Sequence, residues 1–427
     1  MLKKRFQFLL IFFLFPLFFN CNKLKDLTDP YVPISLDSFK SLDSLTEQVK
    51  ALGYVPSYTS QGGEYGLISG ADRGMCVVMR NGSIKCWGNN GSGQLGNGNT
   101  TTPQLLPVLA TALGTTSIAG GVFGVAVSSG LNSSCAFLNS GFNCWGNNGA
   151  GQLGLGSTSP ATSTSPVLAT ILSGKTIKQF TVGDTHACVL FSSDSSAFCW
   201  GNNNYGQLGD GTLVNSFPGV KPIITEPIRS IAASDFMTCI ITFSNNGYCW
   251  GNATKNQNFQ LGATPTLIIS GAAYVSGGDA SHVCFIMLDQ TVQCLGNNDK
   301  GQLGNGQINP GDGTITPFRV PNLLGASMIV AGESHTCAVT KNNTLVSCWG
   351  DNSDGQLGNG VSGINKGSTI PLTVTGIPEG SKIVDIASAD VGSCVLLSND
   401  DVYCWGNTGS ATLASTSAQK ILNRADP

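Results

Sequence analysis

Residues Cys86–Gly98 read CWGNNGSGQLGNG, and close copies of this stretch begin at Cys144, Cys199, Cys294 and Cys348, with worn versions at Cys249 and Cys404. The residue after each of these cysteines is Trp87, Trp145, Trp200, Trp250, Leu295, Trp349 or Trp405, spaced 45 to 58 residues apart, and this one slot holds all six tryptophans of the chain. A second cysteine precedes each copy by 9 to 11 residues, giving the pairs Cys76 and Cys86, Cys135 and Cys144, Cys188 and Cys199, Cys239 and Cys249, Cys284 and Cys294, Cys337 and Cys348, and Cys394 and Cys404. Turn residues lie between the members: RNGS from Arg80, LNSG from Leu138, SNNG from Ser244, SNDD from Ser398. Each pair therefore reads as two strands of one β-hairpin with a cysteine on each.

Opposed residues of antiparallel strands lie at a Cα separation that a disulfide accepts, so every hairpin can close its own bridge. The chain has 15 cysteines, and setting Cys21 aside leaves 14, the even number that a disulfide framework requires. Such bridges need an oxidising compartment. The competing reading is zinc, which asks for cysteines two to four residues apart, and no C-x-x-C occurs. A catalytic thiol is disfavoured because the pairing leaves no hairpin cysteine over.

Upstream of the hairpins lie short apolar segments, among them YGLISG from Tyr65, IKQFTVG from Ile177, IRSIAAS from Ile228, AAYVSGG from Ala272, ASMIVAG from Ala326 and IVDIASA from Ile383. Downstream of the glycine-rich turns come others, often with proline: PVLAT from Pro166, KPIIT from Lys221, FRVPNL from Phe318, PLTVTG from Pro371. This makes four short strands per unit, the last at an outer edge, where proline's missing N–H does no harm. Seven such units predict an all-β, seven-bladed propeller, in which each blade covers its neighbours.

The units GDTHACVLFSSDSSAFCWGNNNYGQLGDG from Gly183 and GESHTCAVTKNNTLVSCWGDNSDGQLGNG from Gly332 resemble the repeat of the regulator-of-chromosome-condensation family. That resemblance covers about Tyr65 to Asn423 and implies a seven-bladed propeller acting as a binding scaffold. The departures are Leu295 for tryptophan, the altered turn GNATKNQNFQLG from Gly251, and GNTGSATLAS from Gly406, which has lost Gln-Leu-Gly. The last unit thus reads as a modified closing blade. Two closures stay open: an N-terminal strand completing the last blade, or a blade formed wholly from the C-terminal SAQKILN near Ser417.

The same residues carry a structural reading. Tryptophan fills space beside the strand, glycine permits positive φ or close backbone approach, and asparagine hydrogen-bonds the backbone of tight turns. His186, His282 and His335 each sit two residues before a hairpin cysteine, where other units have Gly74, Ser133, Met237 and Gly392, so they read as structural rather than catalytic or metal-binding. DNSDG from Asp351 has a faint likeness to a calcium loop, but it aligns with NNGSG at Asn89 and lacks the later glutamate. NPGDGT from Asn309 and VSGINKGST from Val361 are insertions expected to project as loops from one face. No spacing suggests a catalytic triad, paired carboxylates, a P-loop or a dinucleotide site, and the sequence asks for no metal and no cofactor. With a net charge of −3 and 11 % charged residues, nothing supplies the basic stripe that nucleic acid demands.

At the N-terminus, Lys3, Lys4 and Arg5 precede an apolar run of 14 residues, Phe6 to Phe19, too short to span a bilayer comfortably. The following LFFNC, Leu17 to Cys21, resembles the lipobox of bacterial lipoproteins, which implies cleavage before Cys21 and acylation of its sulfur. Phe18, Phe19 and Asn20 depart from the small residues usual there, and the alternative is an ordinary secretory signal with an incidental cysteine. The expected organisation is a signal peptide over residues 1–20, a lipid-anchored tether over 21–60, and the propeller over 61–427. Leu42, Leu45, Val49 and Leu52 in the tether have helical spacing, with Ser44 and Glu47 placed as a capping box. The expected function is that of a non-catalytic cell-envelope lipoprotein, at the outer membrane or cell surface, that binds a protein on its loop-bearing face, with adhesion and enzyme inhibition as two forms of such binding. The alternative is guanine-nucleotide exchange on a small GTPase, as the family's eukaryotic namesake performs. An enzyme with a site in the central channel is a third class, which nothing in the repeat supports.

Overall fold

Each repeat forms one four-stranded antiparallel sheet whose strands hydrogen-bond in chain order. In the computed structural model, the described residues are 67–80, 82–110, 127–130, 132–138, 141–252, 260–278, 282–409 and 415–426, all within the compact unit Thr59–Pro427. Residues 1–20, expected to be a signal peptide, Cys21, and the expected tether with its helix lie outside them.

Blade 1 is Ile68–Ala71, Gly74–Val78, Ile84–Gly88 and Gln104–Leu109; blade 2 is Val127–Gly130, Ser133–Leu138, Gly141–Asn147 and Thr162–Leu168. Blade 3 is Ile177–Val182, His186–Phe191, Ala197–Gly201 and Ser216–Val220; blade 4 is Ile228–Ala233, Met237–Thr242, Asn246–Asn252 and Gln260–Ser270. Blade 5 is Ala272–Gly277, His282–Met287, Val292–Asn298 and Asn309–Arg319; blade 6 is Met328–Ala331, His335–Thr340, Leu345–Gly350 and Ser368–Thr373. Blade 7 is Ile383–Ala389, Gly392–Leu397, Asp401–Gly406 and Ser415–Asn423.

The first strands of successive blades touch one another around a closed ring, blade 7 meeting blade 1. They line the axis, and the fourth strands form the rim. The burial pattern follows: the second strands of blades 3 to 7 are buried throughout, whereas the fourth strand of blade 1 has only half-buried and exposed residues. Pro107, Pro166, Pro218, Pro265 and Pro371 all lie in fourth strands, where the outer edge needs no N–H donor. The ring closes without strand exchange, because blade 7 takes its fourth strand from Ser415–Asn423 and blade 1 supplies its own first strand.

Two segments differ from the sequence expectation. KPIIT, Lys221–Thr225, follows the fourth strand of blade 3 instead of forming it; the strand is SFPGV, whose Ser216 and Val220 pair with Gly201 and Cys199. NPGDGT from Asn309 is not a projecting loop. The fourth strand of blade 5 runs through it for 11 residues, and Asn309 pairs back onto Asn298 in the glycine-rich turn. A pairing partner was on hand in the same blade, and the extra residues are absorbed as register shifts. VSGINKGST stays a loop up to Ser368, with Ile364 86 % exposed.

Hydrophobic burial is concentrated between blades. Seven apolar clusters each join two neighbouring blades, one cluster per junction. In six of the seven clusters the slot after the cysteine supplies the largest member, a tryptophan. Trp87, Trp145, Trp200, Trp250, Trp349 and Trp405 are fully buried, and so is Leu295. Within each blade, the two cysteines face each other directly in register and are bonded, Cα atoms 4.0 to 4.1 Å apart, in all seven hairpins.

Candidate functional site

The repeated motif is a device for joining blades. In CWGNNGSGQLGNG the second asparagine organises its own turn. Asn90 Oδ1 accepts the Leu95 N–H at 3.1 Å, and its Nδ2 donates to the Asn99 carbonyl at 3.0 Å. Asn148, Asn203, Asn298 and Asn352 repeat both bonds in their blades. The turn so fixed aims the glutamine main-chain carbonyl at the next blade. There the buried indole donates to it: Trp145 Nε1 to Gln94 O at 2.7 Å, Trp200 to Gln152 at 3.0 Å, Trp250 to Gln207 at 2.9 Å, Trp349 to Gln302 at 2.9 Å and Trp405 to Gln356 at 3.0 Å. At three junctions a hydroxyl donates to the same carbonyl, from Ser134, Thr238 or Thr336. The glycine after Gln-Leu lets the turn lie against the indole; a Cβ on Gly209, which has φ +73, would stand 2.6 Å from Trp250 Nε1. DNSDG is explained in the same way. Asp351 Oδ1 accepts the Asn352 and Ser353 N–H groups, so its carboxylate caps the turn.

The three histidines open the second strands of blades 3, 5 and 6 and bond across to the next blade. His186 Nε2 lies 2.9 Å from Thr238 Oγ1, His282 Nε2 2.9 Å from Thr336 Oγ1, and His335 Nε2 2.7 Å from Ser393 Oγ. Thr238 and Thr336 give their hydroxyl protons to glutamine carbonyls, so the imidazoles of His186 and His282 donate at Nε2 and leave Nδ1 buried without a partner. Protonation would place a charge and an orphan donor in the core. Burial accordingly lowers the pKa to about 4 in His186 and His335 and to about 3 in His282, where His335 adds repulsion.

In the unfolded chain these imidazoles titrate near about 6.5. The folded state binds fewer protons between that value and the depressed one, so stability is complete above it and is lost as pH falls toward 4, by up to about 1.4 kcal/mol per pH unit for each histidine. Thermal melts are expected to show the midpoint falling from pH 6.5 downward, with a shallower fall in His186→Gln. Identical slopes in wild type and variant would contradict the assignment.

Antiparallel order puts the loops between first and second strands on the same face as the glycine-rich turns. On that face Asp72, Asp184, Asp235, Glu333 and Asp390 each stand four residues before their hairpin's first cysteine, in the loop closest to the axis. The Asp390 carboxyl is raised well above the usual carboxylate range, first by burial and then by the charges of Asp72, Glu333 and Asp184. Asp390 and Asp235 are themselves buried. The sequence reading missed this ring; lining up the residues upstream of each Cys-x₉₋₁₁-Cys pair would have found it. Farther from the axis, the same face exposes Leu213, Val214, Ile308, Val361 and Ile364 from the third-to-fourth-strand connections. Tyr205 and Phe236 pack against each other between blades 3 and 4, with ring centroids 4.8 Å apart and planes tilted by 53°. Among the described residues, no group of three or more His, Cys, Asp or Glu is placed to hold a metal ion.

Seven blades, five of their junctions keyed by the same turn, define a repeat-built β-propeller. The model of the regulator of chromosome condensation (RCC1) repeat matches residues 81–136, 144–190, 194–241, 291–339 and 346–396, and a second RCC1-repeat model matches 177–207 and 329–356. The chain belongs to this family. It is similar to the ultraviolet-B receptor UVR8 of Arabidopsis thaliana, 28 % identical over 355 residues, covering 80 % of this chain and 76 % of that one. It is also 28 % identical over 369 residues to the human E3 ubiquitin-protein ligase HERC2, a match covering 80 % of this chain but 7 % of the ligase. Among solved structures it resembles Prp20p of Saccharomyces cerevisiae, described with its binding properties to Gsp1p and histones. The TM-score is 0.69 at 20 % identity, over 80 % of this chain and 86 % of that one.

Proposed function

We propose that this protein is an exported, lipid-anchored propeller that binds another protein, without catalysis, on the face carrying the glycine-rich turns. The observation that carries the binding reading is that face itself: exposed apolar tips, with Val214 70 % and Ile364 86 % exposed, share it with the half-buried acids Asp72, Asp184 and Glu333 of the loops nearer the axis. Its composition suits a protein partner and repels polyanions, which argues against nucleic acid. The anchor rests on the cysteines. Fourteen are consumed in buried bridges that an oxidising compartment sustains, and Cys21 stands two residues after the end of the apolar run. The acyl chain would hold the protein to the cell envelope, at the outer membrane or cell surface.

The test is a cross-linking pull-down from envelope extract with the wild type and with Val214→Glu/Ile364→Glu, together with membrane fractionation of Cys21→Ser. The expected result is a partner captured by the wild type and lost from the double variant, and a Cys21→Ser protein released from the membrane fraction. Equal capture by both proteins would reject the face, and retention of Cys21→Ser in the membrane would reject the anchor. Guanine-nucleotide exchange on a small GTPase is the second reading, favoured by the family; acceleration of nucleotide release by the purified propeller would establish it in place of scaffolding.

A further inference from the structure

Two of the seven junctions lack the indole key. Between blades 4 and 5 the slot holds Leu295, which has no N–H to donate, and Leu261 of the preceding turn is only partly buried. At the keyed junctions the corresponding Leu95, Leu153, Leu208, Leu303 and Leu357 are at most 2 % exposed. Between blades 7 and 1 the tryptophan is present, but blade 7 has lost Gln-Leu-Gly, and Trp87 Nε1 has no partner among the described residues.

Charged side chains hold these two junctions instead. Arg229, in the first strand of blade 4, donates through Nη2 to the Ala272 and Ala273 carbonyls of blade 5 at 3.0 and 2.7 Å. Asp385, in the first strand of blade 7, accepts the Leu67 and Ile68 N–H groups of blade 1 through Oδ2 at 2.7 and 3.2 Å. Beyond the last strand, Arg424 donates through Nη1 to Asp400 Oδ1 at 3.2 Å and through Nε to the Val78 carbonyl of blade 1. From blade 1, Arg80 Nε donates to Asp400 Oδ2 at 2.6 Å, and its main-chain N–H donates to the Arg424 carbonyl at 3.1 Å.

The geometry points to a ring that parts at these two places: blades 1–4 and blades 5–7 are two arcs, each keyed internally, and they move against each other at seams latched by Arg229, Asp385 and the Arg80–Asp400–Arg424 clasp. Arg229 and the Arg80–Asp400–Arg424 clasp are partly in contact with water, although Asp385 is buried, whereas the indole key lies inside the apolar cluster. Local opening therefore starts at the seams.

Hydrogen exchange followed by mass spectrometry on the whole exported chain tests this. In the wild type, amides in the first strands of blades 1, 5 and 7 are expected to exchange faster than those of blades 3 and 6. Arg424→Gln removes a charge-assisted bond and is expected to accelerate exchange in the first strands of blades 1 and 7 about tenfold or more, with blades 3 and 4 unchanged. Arg229→Gln is expected to act in the same way on blades 4 and 5 alone. Uniform wild-type protection around the ring, or acceleration spread over all blades in either variant, would overturn the two-arc account. The wild-type comparison decides the matter even where a variant folds poorly.

Discussion

Full reduction of the seven hairpin bridges is expected to unfold the propeller at neutral pH. Each bridge closes a loop of 9 to 11 residues. In the chain-entropy account, a loop of that size contributes somewhat under about 3 kcal/mol, so seven acting independently amount to roughly 15–20 kcal/mol. Native domains are stable by only about 5–15 kcal/mol. All fourteen sulfurs are buried at the junctions between blades, so a reduced chain would also keep its thiols in close-packed surroundings with a pair of hydrogens added where a bond had been. The six buried tryptophans report the outcome directly. Dithiothreitol in mild denaturant should red-shift their emission and abolish the cooperative transition, whereas Cys188→Ala/Cys199→Ala, which removes a single bridge, should lower stability by about 2–3 kcal/mol and leave the fold intact. A reduced protein with native circular dichroism and unshifted emission would remove the energetic case for an oxidising compartment.

The second large effect belongs to the indole key. Trp250→Ala empties the biggest side chain of the cluster between blades 3 and 4 and is expected to cost about 4 kcal/mol or more. Trp250→Phe keeps most of the ring but leaves the Gln207 carbonyl with Thr238 as its remaining partner, and should cost about 1–2 kcal/mol. Trp87→Phe is the matched control. Its N–H has no partner among the described residues, so the cost should stay under about 1 kcal/mol. Denaturant titrations of the three variants measure the difference. Equal losses for Trp250→Phe and Trp87→Phe would mean that the carbonyl bond contributes nothing and the slot is only a packing site.

The hairpins, the cysteine pairing, the number of blades and the outward placement of the proline-bearing strands were all legible in the sequence, because each follows from a local spacing repeated seven times. The sequence does not display which blade a turn serves. The key joins a tryptophan side chain to a main-chain carbonyl roughly one repeat away, and a carbonyl leaves no trace in residue identity. Gln94 and Trp145 looked like two ornaments of two repeats, and the bond between them explains why Gln-Leu-Gly and Cys-Trp-Gly recur together. The same reasoning explains the exceptions. Leu295 follows the altered turn of blade 4, and the last blade can dispense with Gln-Leu-Gly because Asp385 and the Arg80–Asp400–Arg424 clasp close the ring. Proline and isoleucine misled at Lys221–Thr225, where the bulged register of the short strand SFPGV ends the sheet five residues earlier. The carboxylate ring escaped notice because its members sit in loops of variable length, with only their distance from the cysteine held constant.

Non-reducing peptide mapping of protein alkylated inside intact cells before extraction reads both the bridge pattern and the state of Cys21. The account predicts seven bridges, each within one hairpin, and an N-terminal peptide beginning at Cys21 with its sulfur blocked by lipid. Alkylated hairpin thiols, bridges joining different blades, or an unmodified Cys21 would contradict it.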